Sequence, residues 1–434
     1  MSTSGNTPHH EVVVVGGGQA GLSLSHFLQA RSIGHVVLEK HSAMHVWRDH
    51  RWDSFTLVTP NWQCKLPGHE YAGPDPHGFM KKAEILDYLD AFKSKVNAPL
   101  RDGVAVERVT PRPQGGFEVR SSEAHVASIC TADQVVVASG GYHLPIVPRM
   151  AERLPPSVLQ IHSEQYRNPQ VLPAGRVLVV GSGQSGAQIA EDLHLAGREV
   201  ILAVGSAPRC ARFYRGKDVV DWLADMNYYD MSVQEHPLRD GVRDNTNHYV
   251  TGRDGGRDVD LRRFALEGMQ LYGTLTGLDG TVLRFKPDLA ANLDHGDAVY
   301  NGINASIDRY IEKNGISAPS GGTYAPVWSA PAERTALDLA DAGMGAVIWC
   351  IGFQPDFTWL DAPVFNGRGH PAHLRGVTHQ PGLYFLGLPW LHTWGSGRFS
   401  GVARDALYLA ERIEAHRQSG GGTVPAATRE LSFA

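Results

Sequence analysis

Val12-Val13-Val14-Val15-Gly16-Gly17-Gly18-Gln19-Ala20-Gly21 is the stretch on which the fold turns. Four consecutive β-branched residues suit a strand buried on both faces of a parallel sheet. Leu22, Leu24, Phe27 and Leu28 follow at helical spacing. Strand, glycine turn and helix in that order predict a dinucleotide-binding unit. Gly16 permits the tight turn, Gly18 lets a pyrophosphate approach the backbone, and Gly21 lets helix and strand close on each other. The helix start at Gln19 and Ala20 turns its positive dipole end to the phosphates. The next strand, His35-Val36-Val37-Leu38, ends at Glu39, 21 residues past Gly18, where an acid accepts hydrogen bonds from ribose hydroxyls.

The pattern recurs. Arg176 to Val180 precedes Gly181-Ser182-Gly183-Gln184-Ser185-Gly186 and a helical run from Ala187. The strand after it ends at Gly205-Ser206, with Arg209, Arg212 and Arg215 beyond and no acid. An acid there would repel a 2′-phosphate, whereas a hydroxyl and guanidiniums attract one. The second site therefore reads as NADPH, with Gly181, Gly183, Gln184, Ser185 and Gly186 at the pyrophosphate and Ser206, Arg209 and Arg212 at the 2′-phosphate. Surface pairing is the other use open to these arginines. A nicotinamide needs a hydride acceptor, and a tightly held flavin is the usual one, so the first site reads as FAD.

Composition bounds the rest. At 434 residues the chain exceeds a single hydrophobic core. A formal charge of -5 gives no reason to invoke nucleic acid or an anionic membrane. Cys64, Cys130, Cys210 and Cys350 are scattered, with no Cys-x-x-Cys and no zinc spacing. That argues against a disulfide reductase, and no metal is expected. The first residues lack the charge and apolar run of a secretory signal, and no stretch reaches membrane-span length. The expectation is a cytoplasmic enzyme acting on a small molecule and dioxygen, with a homodimer left open.

Further motifs resemble the class B flavin-dependent monooxygenases, which include the plant YUCCA-type and animal flavin-containing enzymes. Trp47 stands where that family's FAD-contacting tryptophan stands. Trp52 to Pro60, continuing to Cys64-Lys65-Leu66-Pro67, is similar to its Tyr-Asp-x-Leu-x-Leu…Leu-Pro stretch. Val135 to Gly141 and Val347 to Phe353 resemble its two linker strands, Gly382 to Gly387 its late strand, and Gly401 to Ile413 its final helix. The resemblance implies a monooxygenase that uses a hydroperoxyflavin to hydroxylate nitrogen or oxygenate a carbonyl. An NADPH oxidase or electron-transfer reductase is the alternative. It also implies cofactor contacts from Gly16, Gly18, Gln19, Ala20, Gly21, Glu39, Lys40, Trp47, Val106, Ala138, Gly387, Ser400 and Gly401. The sequence departs from the family fingerprint: His162 and Tyr166 are kept, but Pro156 and Val158 replace its Phe and Gly. The Leu388 to Arg398 insertion and the segment Thr251 to Arg257 look like a bacterial subgroup found beside nitrilases in cyanide-responsive gene clusters.

Two residues stand out as catalytic candidates. His392, between Trp390 and Trp394, titrates near neutral pH and stands before the final helix, so it either serves proton transfer near the flavin or packs among aromatics. Asn61 either bonds the flavin or turns the chain after Pro60. His162 either couples the domains or caps an element. The expected architecture is α/β, with two Rossmann-like domains and the NADPH domain inserted in a sequence-split FAD domain. The FAD domain takes 10–165 and 346–416, and the NADPH domain takes 173–345 with an insertion at about 216–330. The stretch 239–263 is expected to be solvated surface and 417–434 a disordered tail.

Overall fold

The computed structural model describes residues 7–420. The elements that matter here, in chain order, are β1 (His9–Val15), α1 (Gln19–Ala30), β2 (His35–Glu39), α2 (Lys82–Val96), β3 (Leu100–Asp102), β4 (Val104–Pro111), β5 (Phe117–Glu123) and β6 (Val126–Val137). They continue with β7 (Leu159–His162), β8 (Arg176–Val180), α3 (Gln184–Leu195), β9 (Val200–Ala203), β10 (Gln270–Tyr272), α4 (Leu289–Asn314), β11 (Met344–Trp349), β12 (Leu383–Phe385) and α5 (Val402–Gln418).

The first sheet has seven strands. β1 lies between β2 and β6, parallel to both, with Val12 to Val15 all buried as the β-branched run predicts. β6 is long because it serves two purposes. Its first half pairs antiparallel with β5, and its last residues pair parallel with β12. A strand from the far part of the chain therefore completes the first sheet, and helices α1, α2 and α5 bury one of its faces. Within α2 the buried Ile85, Leu89, Phe92 and Val96 recur at helical spacing, and Asn97 ends the helix in the left-handed region at φ 46°.

The second sheet is wholly parallel, in the order β7-β11-β8-β9-β10. This corrects the expected boundaries. They put β7 and β11 in the first domain, yet β11 pairs with β8 and β7 within the second sheet. β11 reads as an apolar run and β7, Leu159-Gln160-Ile161-His162, as a short alternating one, and neither pattern says which sheet holds the strand. The chain crosses instead at Leu144–Pro145 and Phe353–Gln354, which pair antiparallel between the two sheets.

The middle segment holds two short helices, Val219–Asp225 and Leu261–Leu266, ahead of the long α4. The stretch 239–263 is not mainly solvated surface. Arg253 binds Asp192, Arg257 binds the buried Glu191, and Arg262 binds Asp297, so its charges clamp it onto α3 and α4. Charge alternation on paper looks the same whether the partners are water or buried acids. α5 runs to Gln418, two residues into the expected tail, and residues 1–6 and 421–434 lie outside the described part. Among the described residues no helix is long and apolar enough to cross a membrane.

Candidate cofactor and active site

The first glycine turn is a cradle that side chains would fill. Gly16 has φ +115°, and a Cβ there would lie 2.5 Å from the Ala138 carbonyl oxygen. A Cβ on Gly21 would lie 2.0 Å from the Gly16 oxygen, whereas Gly18 faces open space. Those are the demands of turn, packing and ligand approach, in that order. The Glu39 carboxylate accepts hydrogen bonds from the backbone N–H of Gly17 at 2.7 Å and of His41 at 2.9 Å, which aims it at the loop.

Other parts of the chain converge on the same turn. Gln19 accepts a bond from the Trp47 indole N–H at 3.2 Å and donates to the Gly397 carbonyl at 3.4 Å. Trp47 stacks on Phe399, with centroids 5.0 Å apart. Gly387, at φ +80°, brings the end of β12 so close to α1 that a Cβ there would lie 2.7 Å from the Ala20 Cβ. α1 and α5 both start at glycines, Gly18 and Gly401, with no side-chain cap; α1 leaves its first N–H groups for a ligand, whereas the Val402 N–H of α5 is taken by the Arg398 carbonyl at 3.1 Å. The Ser400 hydroxyl beside them is buried, with no partner among the described residues. The glycine cradle, the uncapped start of α1, Glu39 and the orphaned hydroxyl fit a flavin dinucleotide. Lys40 is exposed beside Glu39, and Val106 sits in β4 opposite Ser121, packed against the other face of the sheet.

The second turn repeats the geometry with different neighbours. Gly181 has φ +99°, with a Cβ position 2.7 Å from the Cys350 carbonyl oxygen, and a Cβ on Gly186 would lie 1.8 Å from the Gly181 oxygen. Gln184 exchanges two hydrogen bonds with the Val250 backbone, at 2.7 and 3.2 Å. The Ser182 hydroxyl accepts from the Gly205 N–H at 3.0 Å, tying the turn to the end of β9. Gly181 to Ser185 and Gly205 to Ala207 line a central cavity of about 1340 Å³. First-domain residues line it too, Val46, Arg51, Trp52 and Phe55 among them, as do Leu388, Pro389 and Trp394 of the insertion.

The structure places several of the expected site residues in fold contacts. Arg209 is buried, its Nε donating to Asp297 at 2.9 Å and its guanidinium lying over Tyr300 and Tyr324. Arg212 is 1% exposed, paired with Asp218 and donating to the Val58 carbonyl at 2.7 Å. Neither lines the cavity, and both are spent on fold contacts. Ser206 is exposed on the cavity wall. Asn61 is buried, accepting from the Met80 N–H and donating to the Asp75 carbonyl, so it serves the turn. His392 is absent from the cavity lining; its ring is pushed down to about 4 by burial, then by Arg375 and Arg404. Trp390 packs on Val233 and Val242, so the insertion braces the middle segment. The buried His162 accepts from the Glu164 N–H across a short helix start and contacts the Gly352 carbonyl, the capping reading.

Sequence reasoning missed Asp192. It accepts from Tyr166, Ser54 and Arg253 at 2.6 Å each, joining a linker residue, the first domain and the middle segment on α3. It also missed Arg51, Tyr142 and Asn247 on the cavity wall. No motif spacing marks residues that meet only across domains. All four cysteines are free, and burial pushes the Cys64 and Cys210 thiols up to about 12. Two glycine cradles, the second on the cavity wall, with unpaired thiols, define the class: a two-dinucleotide flavoprotein oxidoreductase.

The comparisons agree. The family model for pyridine nucleotide-disulphide oxidoreductases matches residues 13–228. The CzcO-like oxidoreductase of Geobacillus kaustophilus is 31% identical over 94% of this chain and 99% of its own length. The chain belongs to that CzcO-type oxidoreductase family. The indole-3-pyruvate monooxygenase YUCCA4 of Oryza sativa is 30% identical over 42% of this chain and 44% of its own. A doubly substituted flavin monooxygenase from Stenotrophomonas maltophilia shares the fold, with a TM-score of 0.63 at 20% identity over 94% of this chain and 99% of that one.

Proposed function

We propose that the protein is an NADPH-dependent flavin monooxygenase that oxygenates a small molecule in the central cavity. One observation carries the reading: a cavity of about 1340 Å³ is walled by the second glycine turn on one side and by residues around the first on the other. The first turn would hold FAD through the Gly16–Gly18 backbone, Glu39 and Ser400, and the flavin supplies hydride acceptance and dioxygen activation. The second turn would hold the nicotinamide nucleotide, and a β9 end without an acid supports NADPH. Phe55, Leu223, Phe353 and Leu388 make much of the wall apolar, which excludes water from the reacting region. The YUCCA4 relative supports oxygen transfer over disulfide chemistry, as do the unpaired thiols. The test is coupling. NADPH, oxygen and released hydrogen peroxide are measured together against a panel of amines and ketones. A compound that lowers the peroxide-to-NADPH ratio and gains one oxygen atom bears the reading out. A ratio near one with every compound contradicts it and indicates an oxidase.

A further inference from the structure

We propose that Arg51 and Arg398 form an anion-holding subsite in the central cavity, and that the substrate presents a carboxylate to them. This rests on the reading that the flavin occupies the first turn. Four arginines line the cavity. Arg243 is paired with Asp240 at 2.9 Å and Arg368 with Asp244 at 2.8 Å. Arg51 and Arg398 have no carboxylate partner among the described residues. Arg51 donates to the His50 carbonyl at 3.1 Å. Arg398 donates to the Trp394 carbonyl and, at 3.0 Å, to Asn247. Most of their ten N–H donors make no bond to the protein, and both half-buried guanidiniums face the cavity, where an anion can take those donors. Burial pulls both guanidiniums below the usual arginine range, and no carboxylate acts in return.

The setting of each arginine suits a planar anion. Arg51 lies over Trp47 and Phe55, 5.1 and 5.5 Å from their centroids, and Arg398 lies 3.9 Å over Trp394. Stacking fixes the guanidinium planes and leaves their edges for bidentate bonds. Tyr142 stands within electrostatic reach of both.

Position ties the pair to the flavin side of the cavity. Arg51 stacks on the tryptophan that bonds Gln19, and Arg398 follows Gly397, whose carbonyl also takes a bond from Gln19. Both therefore flank the first turn, and Arg398 also reaches towards the second through Asn247, whose neighbour Thr246 lies 3.7 Å from the Cβ position of Gly183, so binding of 2′-AMP decides between substrate and nucleotide.

Isothermal titration of the flavin-loaded protein with benzoate, its neutral isostere benzamide, and 2′-AMP tests this without turnover, so the result stands apart from whether oxygen is inserted. Benzoate should bind at least tenfold more tightly than benzamide. R51M and R398M should each weaken benzoate at least tenfold and leave benzamide alone. Native protein that binds benzamide as well as benzoate overturns the proposal, and that comparison needs no variant. So does weakening of 2′-AMP in place of benzoate, which would assign the pair to the nucleotide.

Discussion

The two glycine turns are near copies in backbone and opposites in surroundings. Gly16 and Gly181 share a positive φ and a Cβ position filled by a carbonyl from a neighbouring segment, Ala138 in one and Cys350 in the other. Around the first, Glu39 takes two backbone N–H groups, and Trp47, Gly387, Gly397 and Ser400 arrive from distant parts of the chain. Around the second, β9 leads into Gly205 and Ser206 with no acid, and Gln184 is pinned by Val250. The turn makes a phosphate cradle in both. The two turns differ in the residues just past the second strand of each unit, an acid at Glu39 and none at Gly205-Ser206.

Adding one methyl group to each turn separates their roles. Gly16→Ala should purify with less than about a tenth of the native flavin, because the new Cβ meets backbone that cannot yield. Gly181→Ala should keep its flavin and lose reduction by NADPH. The flavin-to-protein absorbance ratio and anaerobic reduction read the two effects, and loss of flavin in both variants would break the contrast.

The next contrast lies within the second domain, between residues that touch nucleotide and residues that hold the fold. Arg212→Ala leaves Asp218 buried without its partner and should destabilise the protein by about 3–5 kcal/mol in urea denaturation. It should leave the NADPH-to-NADH preference of the surviving protein unchanged. A shifted preference with native stability would return Arg212 to the phosphate.

A smaller effect tests the late segment beside the cavity. His373 is 9% exposed and pushed down to about 3, chiefly by burial and then by Arg243. It stays neutral when folded and takes a proton near pH 6.5 when unfolded. The unfolded chain thus binds the extra proton, and stability falls as pH drops from about 6.5 towards 3. The slope from this one group approaches about 1.4 kcal/mol per pH unit, and His392 adds in the same direction down to about 4. Denaturation midpoints from about pH 7 to 5 should fall, and fall less steeply in His373→Asn. An unchanged slope in the variant would contradict the assignment.

The smallest change is expected at His392. Off the cavity wall, its replacement by alanine should alter peroxide released per NADPH by less than about twofold. A large rise in peroxide would restore it to the reacting edge.

Legibility tracked locality. The turns, their strands and helices, and Glu39 are set by residues within about 25 positions of each other, and their spacing gives them away. Chemistry that arrives from afar does not show in spacing. Arg209 and Arg212 look like phosphate ligands in the sequence because a guanidinium after a strand reads the same whether it meets a phosphate or a buried Asp297. β11 looks like a linker strand because an apolar run carries no sheet label. His392 looks catalytic because the chain returns to the first turn at Gly387 and Gly397, while the loop between swings out to Val233.

The claim that the two turns hold different nucleotides is tested most directly on the purified protein. The released flavin is identified by chromatography, and anaerobic reduction is then followed with NADPH and with NADH. The account predicts FAD near one per chain and NADPH more efficient by about tenfold or more. FMN in place of FAD, or equal reduction by NADH, would contradict it.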